Sequence, residues 1–277
     1  MSRLRYVVVD VFTDVPLQGN QVAVFTDARE IPEEKLQQLA RETNLSETTF
    51  VYPPEADGHV RMRIFTPATE LPFAGHPTLG SCHVWLGLGG KPKSSEVVQE
   101  CGAGLVRIKR DGARLAFAAP PLRRSGEVEP DLRTRIARAL GITEDVIQAA
   151  QWVDNGPGWV AVRLGSRSEV LALKHDASVL PDQSLGVVAP WDAARDGSEV
   201  QFEVRAFMGR GGEDPVTGSL NAGIAQWLIG AGIAPPSYVA AQGTRLGRRG
   251  RVHVHKADGE IWIGGDSVIG IRGTLEL

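Results

Sequence analysis

The residues with the most chemical promise lie on two glycine-rich loops and one acidic turn. The loops are Glu70-Leu-Pro-Phe-Ala-Gly-His-Pro77 and Gly209-Arg-Gly-Gly-Glu-Asp-Pro-Val-Thr-Gly218. Each opens directly into an apolar stretch that reads as a helix, Pro77–Leu88 and Ser219–Ile229, and Pro77 suits a first helical turn. Such a helix start aims free N–H groups and the positive end of its dipole at whatever lies in front. Two of them facing one cleft would bind a carboxylate-bearing metabolite through backbone and hydroxyl donors, with no metal. His76 and Ser219 each stand one residue after a loop glycine, where a ring N–H or a hydroxyl can touch ligand; the plainer reading is that both only cap their helices. Asp214 can orient an amine or hydroxyl, or merely form a turn before Pro215. Glu47, in Asn44-Leu-Ser-Glu-Thr-Thr-Phe-Val51, is on spacing alone a loop glutamate. If it enters the apolar strand that follows, desolvation raises its pKa toward values useful to a general base.

The elements that must hold these groups repeat. Gly19–Phe25 resembles Gly156–Arg163, with Val22 answering Val160. Glu70-x4-Gly75-x4-Gly80 has the spacing of Glu213-x4-Gly218-x4-Gly223, and Phe65 and Phe207 stand just upstream of each. Agreement of order and spacing points to a duplication. In the first half, Tyr6–Phe12 and Gln21–Phe25 read as strands around a turn. The stretch 31–41 is an amphipathic helix with apolar residues at Leu36, Leu39 and Ala40, and Arg61–Phe65 alternates as a half-buried strand. Val200–Phe207 repeats that alternation in the second half. A helix apolar on most faces is buried, so the expected fold class is α+β: two pseudo-symmetric lobes, residues 1–120 and 121–277, each a sheet wrapped around a central helix. The last strand can pack back on the first lobe. The proline- and charge-rich segment Pro120–Pro130 reads as the linker.

Composition narrows the function. At 277 residues the chain exceeds the usual ~100–200 of one domain. A hydrophobic fraction of 42%, a charged fraction of 23% and a net charge of −3 predict a soluble globular protein without a basic field for nucleic acid or membrane. The apolar run near the N-terminus, Val7–Val9, is too short for a signal peptide, so a cytoplasmic protein is expected. Gly209–Asp214 lacks the third glycine of a dinucleotide loop, and Gly90-Lys91 lacks the preceding glycine of a phosphate loop. His253-x-His255 puts two rings on one strand face with no evident third metal ligand.

Taken in order, several strings resemble the PhzF family of phenazine-biosynthesis-like proteins: Asp10–Phe12, Pro16-Leu-x-Gly-Asn20, Val22–Phe25, Leu45-Ser-Glu-Thr-Thr-Phe-Val51, Ile64-Phe-Thr-Pro67, Glu70-Leu-Pro-Phe-Ala-Gly-His-Pro77 and Glu213-Asp-Pro-Val-Thr-Gly-Ser219. The resemblance implies the diaminopimelate-epimerase-like fold, a homodimer, no cofactor and a small-molecule substrate with a carboxylate. It makes Glu47 resemble the family's acid/base, with His76 and Asp214 as catalytic orienting groups. It puts Ser46, Gly75, Ser219, Asn20 and Gly218 in substrate-binding positions. Isomerisation of a cyclic amino acid such as trans-2,3-dihydro-3-hydroxyanthranilate follows as the expected reaction, and a non-catalytic binding protein on the same fold is the alternative. Related epimerases and racemases use a cysteine pair; here Cys82 falls inside the first buried helix and Cys101 before a turn, which disfavours two-thiol chemistry. One departure stands out: the family's Gln-Gly-x-x-x-Gly-Arg-Pro-Ser reads here Gln242-Gly-Thr-Arg-Leu-Gly-Arg-Arg-Gly250. The Arg245–Arg251 cluster reads as a solvated hairpin or loop, or else as a group that helps bind an anionic substrate or shapes the dimer interface.

Overall fold

The structure, a computed structural model, describes residues 3–26, 28–209 and 212–277, so Arg210 and Gly211 of the second loop lie outside the described residues. The chain divides into two compact units, Met1–Ala118 with Gly264–Leu277, and Ala119–Ile263.

The first unit contains β1 (Arg3–Val11), β2 (Asn20–Phe25), α1 (Glu33–Thr43), β3 (Glu47–Tyr52), β4 (Val60–Phe65), β5 (Glu70–Leu71), α2 (Gly75–Gly87), β6 (Val97–Cys101), β7 (Gly104–Asp111) and β8 (Arg114–Ala118). The second contains β9 (Arg124–Glu127), α3 (Pro130–Leu140), β10 (Ala149–Asp154), β11 (Trp159–Arg163), α4 (Arg167–Ala172), β12 (Ser184–Pro190), α5 (Ala193–Asp196), β13 (Phe202–Met208), β14 (Glu213–Asp214), α6 (Gly218–Gly230), β15 (Ser237–Gln242) and β16 (Gly250–Ala257). After β17 (Glu260–Gly265), β18 (Ser267–Glu276) belongs to the first unit and pairs antiparallel with β1.

Strand pairing reveals the duplication more fully than the sequence does. In the first unit β1–β2 is antiparallel, β2–β3 parallel, β3–β4 and β4–β5 antiparallel, β4–β6 parallel and β6–β7 antiparallel. The second unit repeats that series in β10–β11, β11–β12, β12–β13, β13–β14, β13–β15 and β15–β16. A helix bridges each parallel crossover, α1 and α2 in the first unit and α4 and α6 in the second, because parallel neighbours need a long connection.

Each unit wraps its sheet around one helix. Nine residues of α2 are buried, including Leu79, Cys82 and Val84, and the helix packs on β1, β2, β3, β4, β6, β8 and β18. In α6, Leu220, Ile224 and Leu228 are buried against an element set that includes β10, β11 and β16. Each such side chain removed from water stabilises the fold by roughly 1.5–3 kcal/mol. The approach is close enough to require glycine. A methyl group on Gly80 would lie 2.6 Å from Val22 Cγ1, and one on Gly223 would lie 2.4 Å from the Val153 carbonyl oxygen. On its outer side the first sheet buries Phe25, Phe50 and Phe65 against Leu36, Leu39 and Ala40 of α1. Asn44, in the left-handed conformation, ends α1 with its N–H on the Ala40 carbonyl, and the chain turns into β3 at Glu47.

The segment Pro120–Pro130 is more than a linker. Its central part forms β9, which pairs with β10, Arg124 opposite Asp154 and Glu127 opposite Gln151. The Arg124 guanidinium lies 3.5 Å from the Trp152 ring centroid, and the Trp152 indole N–H donates to Glu129, so an exposed strand is held by a cation–π contact and a carboxylate. No apolar residue marks that strand, which is why periodicity misses it. Among the described residues no helix is long and apolar enough to cross a membrane.

A duplicated ion pair braces both loops. Arg63 forks onto Glu70 at 2.7 and 2.8 Å, and Arg205 forks onto Glu213 at 2.9 and 2.7 Å. The first pair is largely in water, with 42% of the Glu70 side chain exposed; in the second, Arg205 is 6% exposed and also donates to the Val170 and Leu173 carbonyls. Exposed pairs contribute little, whereas removing one partner of a buried pair strands a charge. Glu213→Gln is therefore expected to cost about 3–5 kcal/mol in urea unfolding and Glu70→Gln about 0–1 kcal/mol; equal losses would contradict the assignment.

Candidate active site

Glu47 opens β3 opposite Val22 of the parallel neighbour β2, and its side chain is 15% exposed. His76 is the second residue of α2, with its side chain 6% exposed. Its Nε2 lies 3.2 Å from Glu47 Oε2 and 3.3 Å from the Gln21 carbonyl oxygen. The Gln21 carbonyl can only accept, which assigns the proton to Nε2. Burial pushes the ring down to about 3, outweighing the upward pull of the Gln21 carbonyl. At neutral pH His76 is thus an uncharged donor held against a carboxylate. The N-cap of α2, Ala74, offers no side-chain acceptor, so the amides of Gly75 and His76 have no capping partner within the helix. A mostly buried carboxylate with an uncharged imidazole 3.2 Å from one oxygen and a remaining opening to solvent can take up a proton and give it back.

The second unit builds a different cluster at the matching place. Asp214 pairs with Ala206 at the end of β14, and its Oδ2 accepts from the Thr217 hydroxyl at 2.5 Å. Ser219, second in α6, accepts the Trp159 indole N–H on its hydroxyl oxygen at 2.9 Å, which leaves the hydroxyl proton to donate. Asn155 holds the Ser219 carbonyl at 2.8 Å. Asp154 folds the preceding turn by accepting the Gly156 and Gly158 amides, both at 2.7 Å. Gln242, buried at the end of β15, donates to the Asp214 carbonyl and the Thr217 hydroxyl and accepts from the Thr217 amide.

Within the first unit, then, Glu47 and His76 meet, with Gly75 buried next to His76 in the chain, Asn20 buried at the start of β2 and Ser46 exposed next to Glu47 in the chain. Within the second, Asp214, Gly218 and Ser219 share one loop and helix start. Neither His76 nor Ser219 caps its helix: Ala74 and Thr217 occupy those positions without side-chain capping bonds. Trp159, Asn155, Thr217 and Gln242 escaped the sequence reading. Trp159 does stand in the repeated Gly156–Arg163 string and Gln242 in the late glycine motif, the signals that point to them. In that motif a side chain at Gly250 would meet Val216 Cγ2 at 2.4 Å, so glycine is the residue that fits here. The Arg245–Arg251 cluster is a short helical turn over Thr244–Leu246 followed by β16, with Arg251 stacked 6.0 Å from Trp191 rather than fully solvated.

The two cysteines do not form a thiol pair. Burial pushes the Cys82 thiol up to about 12, and Cys101 is shifted upward by the same cause. No group of three or more His, Cys, Asp or Glu side chains poised for a metal occurs among the described residues.

Comparison with known proteins identifies the lineage. Residues 9–273 match the family profile of phenazine biosynthesis-like proteins (PhzC-PhzF). The trans-2,3-dihydro-3-hydroxyanthranilate isomerase of Pseudomonas aeruginosa is 35% identical over 265 residues, covering 92% of this chain and 91% of that protein. Antisense-enhancing sequence 1 of Schizosaccharomyces pombe is 35% identical over 269 residues, 90% of this chain and 89% of that protein. The crystal structure of a PhzF-family protein from Bacillus anthracis superposes with a TM-score of 0.86 over 100% of both chains at 20% identity. A probable proline racemase from Agrobacterium radiobacter shares the fold at a TM-score of 0.59 and 15% identity, over 99% of this chain and 92% of that one. The pairing of strands, the loop motifs and these matches agree: the chain belongs to the phenazine biosynthesis-like PhzF family and is an isomerase on the PhzF, diaminopimelate-epimerase-like α+β fold.

Proposed function

We propose that the protein is a cofactor-independent isomerase that moves a proton on a small, cyclic, amino-acid-like carboxylate, with Glu47 as the acid/base. The observation that carries this reading is the 3.2 Å contact between Glu47 and the neutral ring of His76. A substrate related to trans-2,3-dihydro-3-hydroxyanthranilate, the compound in the name of the Pseudomonas relative, fits the donors available. Its carboxylate is held by first-turn amides of the kind that Gly75 and Gly218 present, and Asp214 accepts from its amine or hydroxyl. Glu47 then removes a proton from a ring carbon, the electrons shift along the conjugated system, and Glu47 returns the proton to another carbon on the same face.

His76 works on both sides of that transfer. While Glu47 is ionised, the positive end of the nearby Nε2–H dipole favours the carboxylate. Once Glu47 carries the proton that attraction weakens, and the His76 N–H stays on the Gln21 carbonyl, keeping the ring in place. Ser46, Asn20 and Ser219 line the substrate in this reading. A homodimer in the cytoplasm is proposed with it from the family resemblance.

Replacing Glu47 by Gln keeps the shape and removes the base. Turnover of dihydro-hydroxyanthranilate, followed by absorbance, is expected to fall by roughly 10³-fold or more while calorimetric affinity changes less than about threefold. Retained turnover would overturn the role of Glu47. Undiminished binding with no turnover by the wild type either would instead favour a binding protein.

The lowered pKa of His76 sets a stability window. The unfolded chain takes up a proton on this ring as pH falls below about 6.5, whereas the folded state resists until about 3. Stability is therefore lost across that interval as pH falls, by up to roughly 4 kcal/mol at its foot. Urea midpoints measured from pH 7 to pH 4 are expected to drop more steeply for the wild type than for His76→Gln; parallel profiles would contradict a neutral, buried ring.

A further inference from the structure

We propose that Gln242 is a positioning residue that sets the direction of the hydrogen-bond relay onto Asp214, an inference that rests on the reading of Asp214 as a substrate-orienting carboxylate. Gln242 is fully buried and uses both ends of its amide. Its Oε1 accepts from the Thr217 amide at 3.0 Å and from Asn221 Nδ2 at 2.8 Å. Its Nε2 donates to the Asp214 carbonyl at 3.1 Å and to Thr217 Oγ1 at 3.0 Å.

The orientation of this amide is determined, because the Thr217 backbone N–H can only donate and so must face the oxygen. Nε2 then points at Thr217 Oγ1. A hydroxyl that accepts there has its single proton left for another partner, and that partner is Asp214 Oδ2 at 2.5 Å. The relay runs one way, from Gln242 to Thr217 to Asp214, and it ties the backbone before α6 to β15. Gln242 itself does not touch Asp214's carboxylate; it acts through the hydroxyl.

Gln242→Glu tests the direction with almost no change of volume. Ionised, the new carboxylate has no proton for Thr217 Oγ1, so the hydroxyl turns toward it and leaves Asp214. Protonated at lower pH, it regains a donor and restores the relay. The expected result is a loss of kcat/KM of roughly 10- to 100-fold at pH 8, the scale of one hydrogen bond to a charged group, shrinking as pH falls toward 5. Thr217→Val should show a similar loss without the pH recovery, Thr217→Ser should restore most activity, and the double variant should be no worse than the poorer single one. The Asp214 carboxyl carbon, followed by 13C NMR, should shift in both Gln242→Glu and Thr217→Val whatever substrate the enzyme takes. A pH-independent loss that only tracks thermal stability, or an unmoved Asp214 signal, would overturn the proposal. A moved signal with activity intact would leave the relay standing and sink the role given to Asp214.

Discussion

The first unit depends on the close approach of one helix backbone to the side chain of one strand residue. At Gly80 the helix α2 meets β2 so closely that a methyl group would sit 2.6 Å from Val22 Cγ1, and Val22 is the residue whose parallel partner is Glu47. This contact sets how closely the helix lies on the strand pair carrying the carboxylate. His76 lies about one turn before Gly80, which puts its ring at the Gln21 carbonyl and at Glu47. Polar ties reinforce the alignment without opening the core: Ser81 donates to Thr49 on β3 at 2.8 Å, and Thr43 meets Thr48 at 2.6 Å just after Glu47. The apolar packing of α2 thus does the work of holding two polar side chains at hydrogen-bonding distance in a place where neither is fully hydrated.

The second unit keeps the framework and changes the chemistry. Its Arg–Glu fork and its order of strand pairs repeat those of the first, and a glycine of its central helix again packs tightly, here Gly223 on β10 rather than on the counterpart of β2. Yet the start of β12, where Glu47 would have its counterpart, carries Ser184 and Leu185, and Ser219 replaces His76. No second carboxylate or thiol stands at the repeated position. That asymmetry favours the proposed single acid/base over a pair of bases.

Much of this was legible in the sequence, for identifiable reasons. Leu36, Leu39 and Ala40 mark the buried face of α1 because a helix on a sheet shows its period. The two apolar helices and their glycines declare themselves by lacking charge. The residues that could act were found by type and by resemblance, and His76 and Glu47 meet in the structure. What escaped depends on tertiary partners: β9 has no apolar alternation and is held by Arg124 on Trp152, while Gln242 looks like any polar strand end until its four partners are known. The capping role considered for Ser219 gave way to the Trp159 indole, which arrives from a strand 60 residues earlier.

The central claim is that one carboxylate both removes the proton and returns it. It is tested most directly by turning over, in ordinary water and under single-turnover conditions, substrate deuterated at the carbon that loses its proton. The account predicts that a measurable fraction of the deuterium reappears at the new carbon, because Glu47 is only 15% exposed and the bound substrate shields it further from solvent. It also predicts that this transfer vanishes in Glu47→Gln. Complete washout of label at every pH, or transfer that survives in Glu47→Gln, would contradict it.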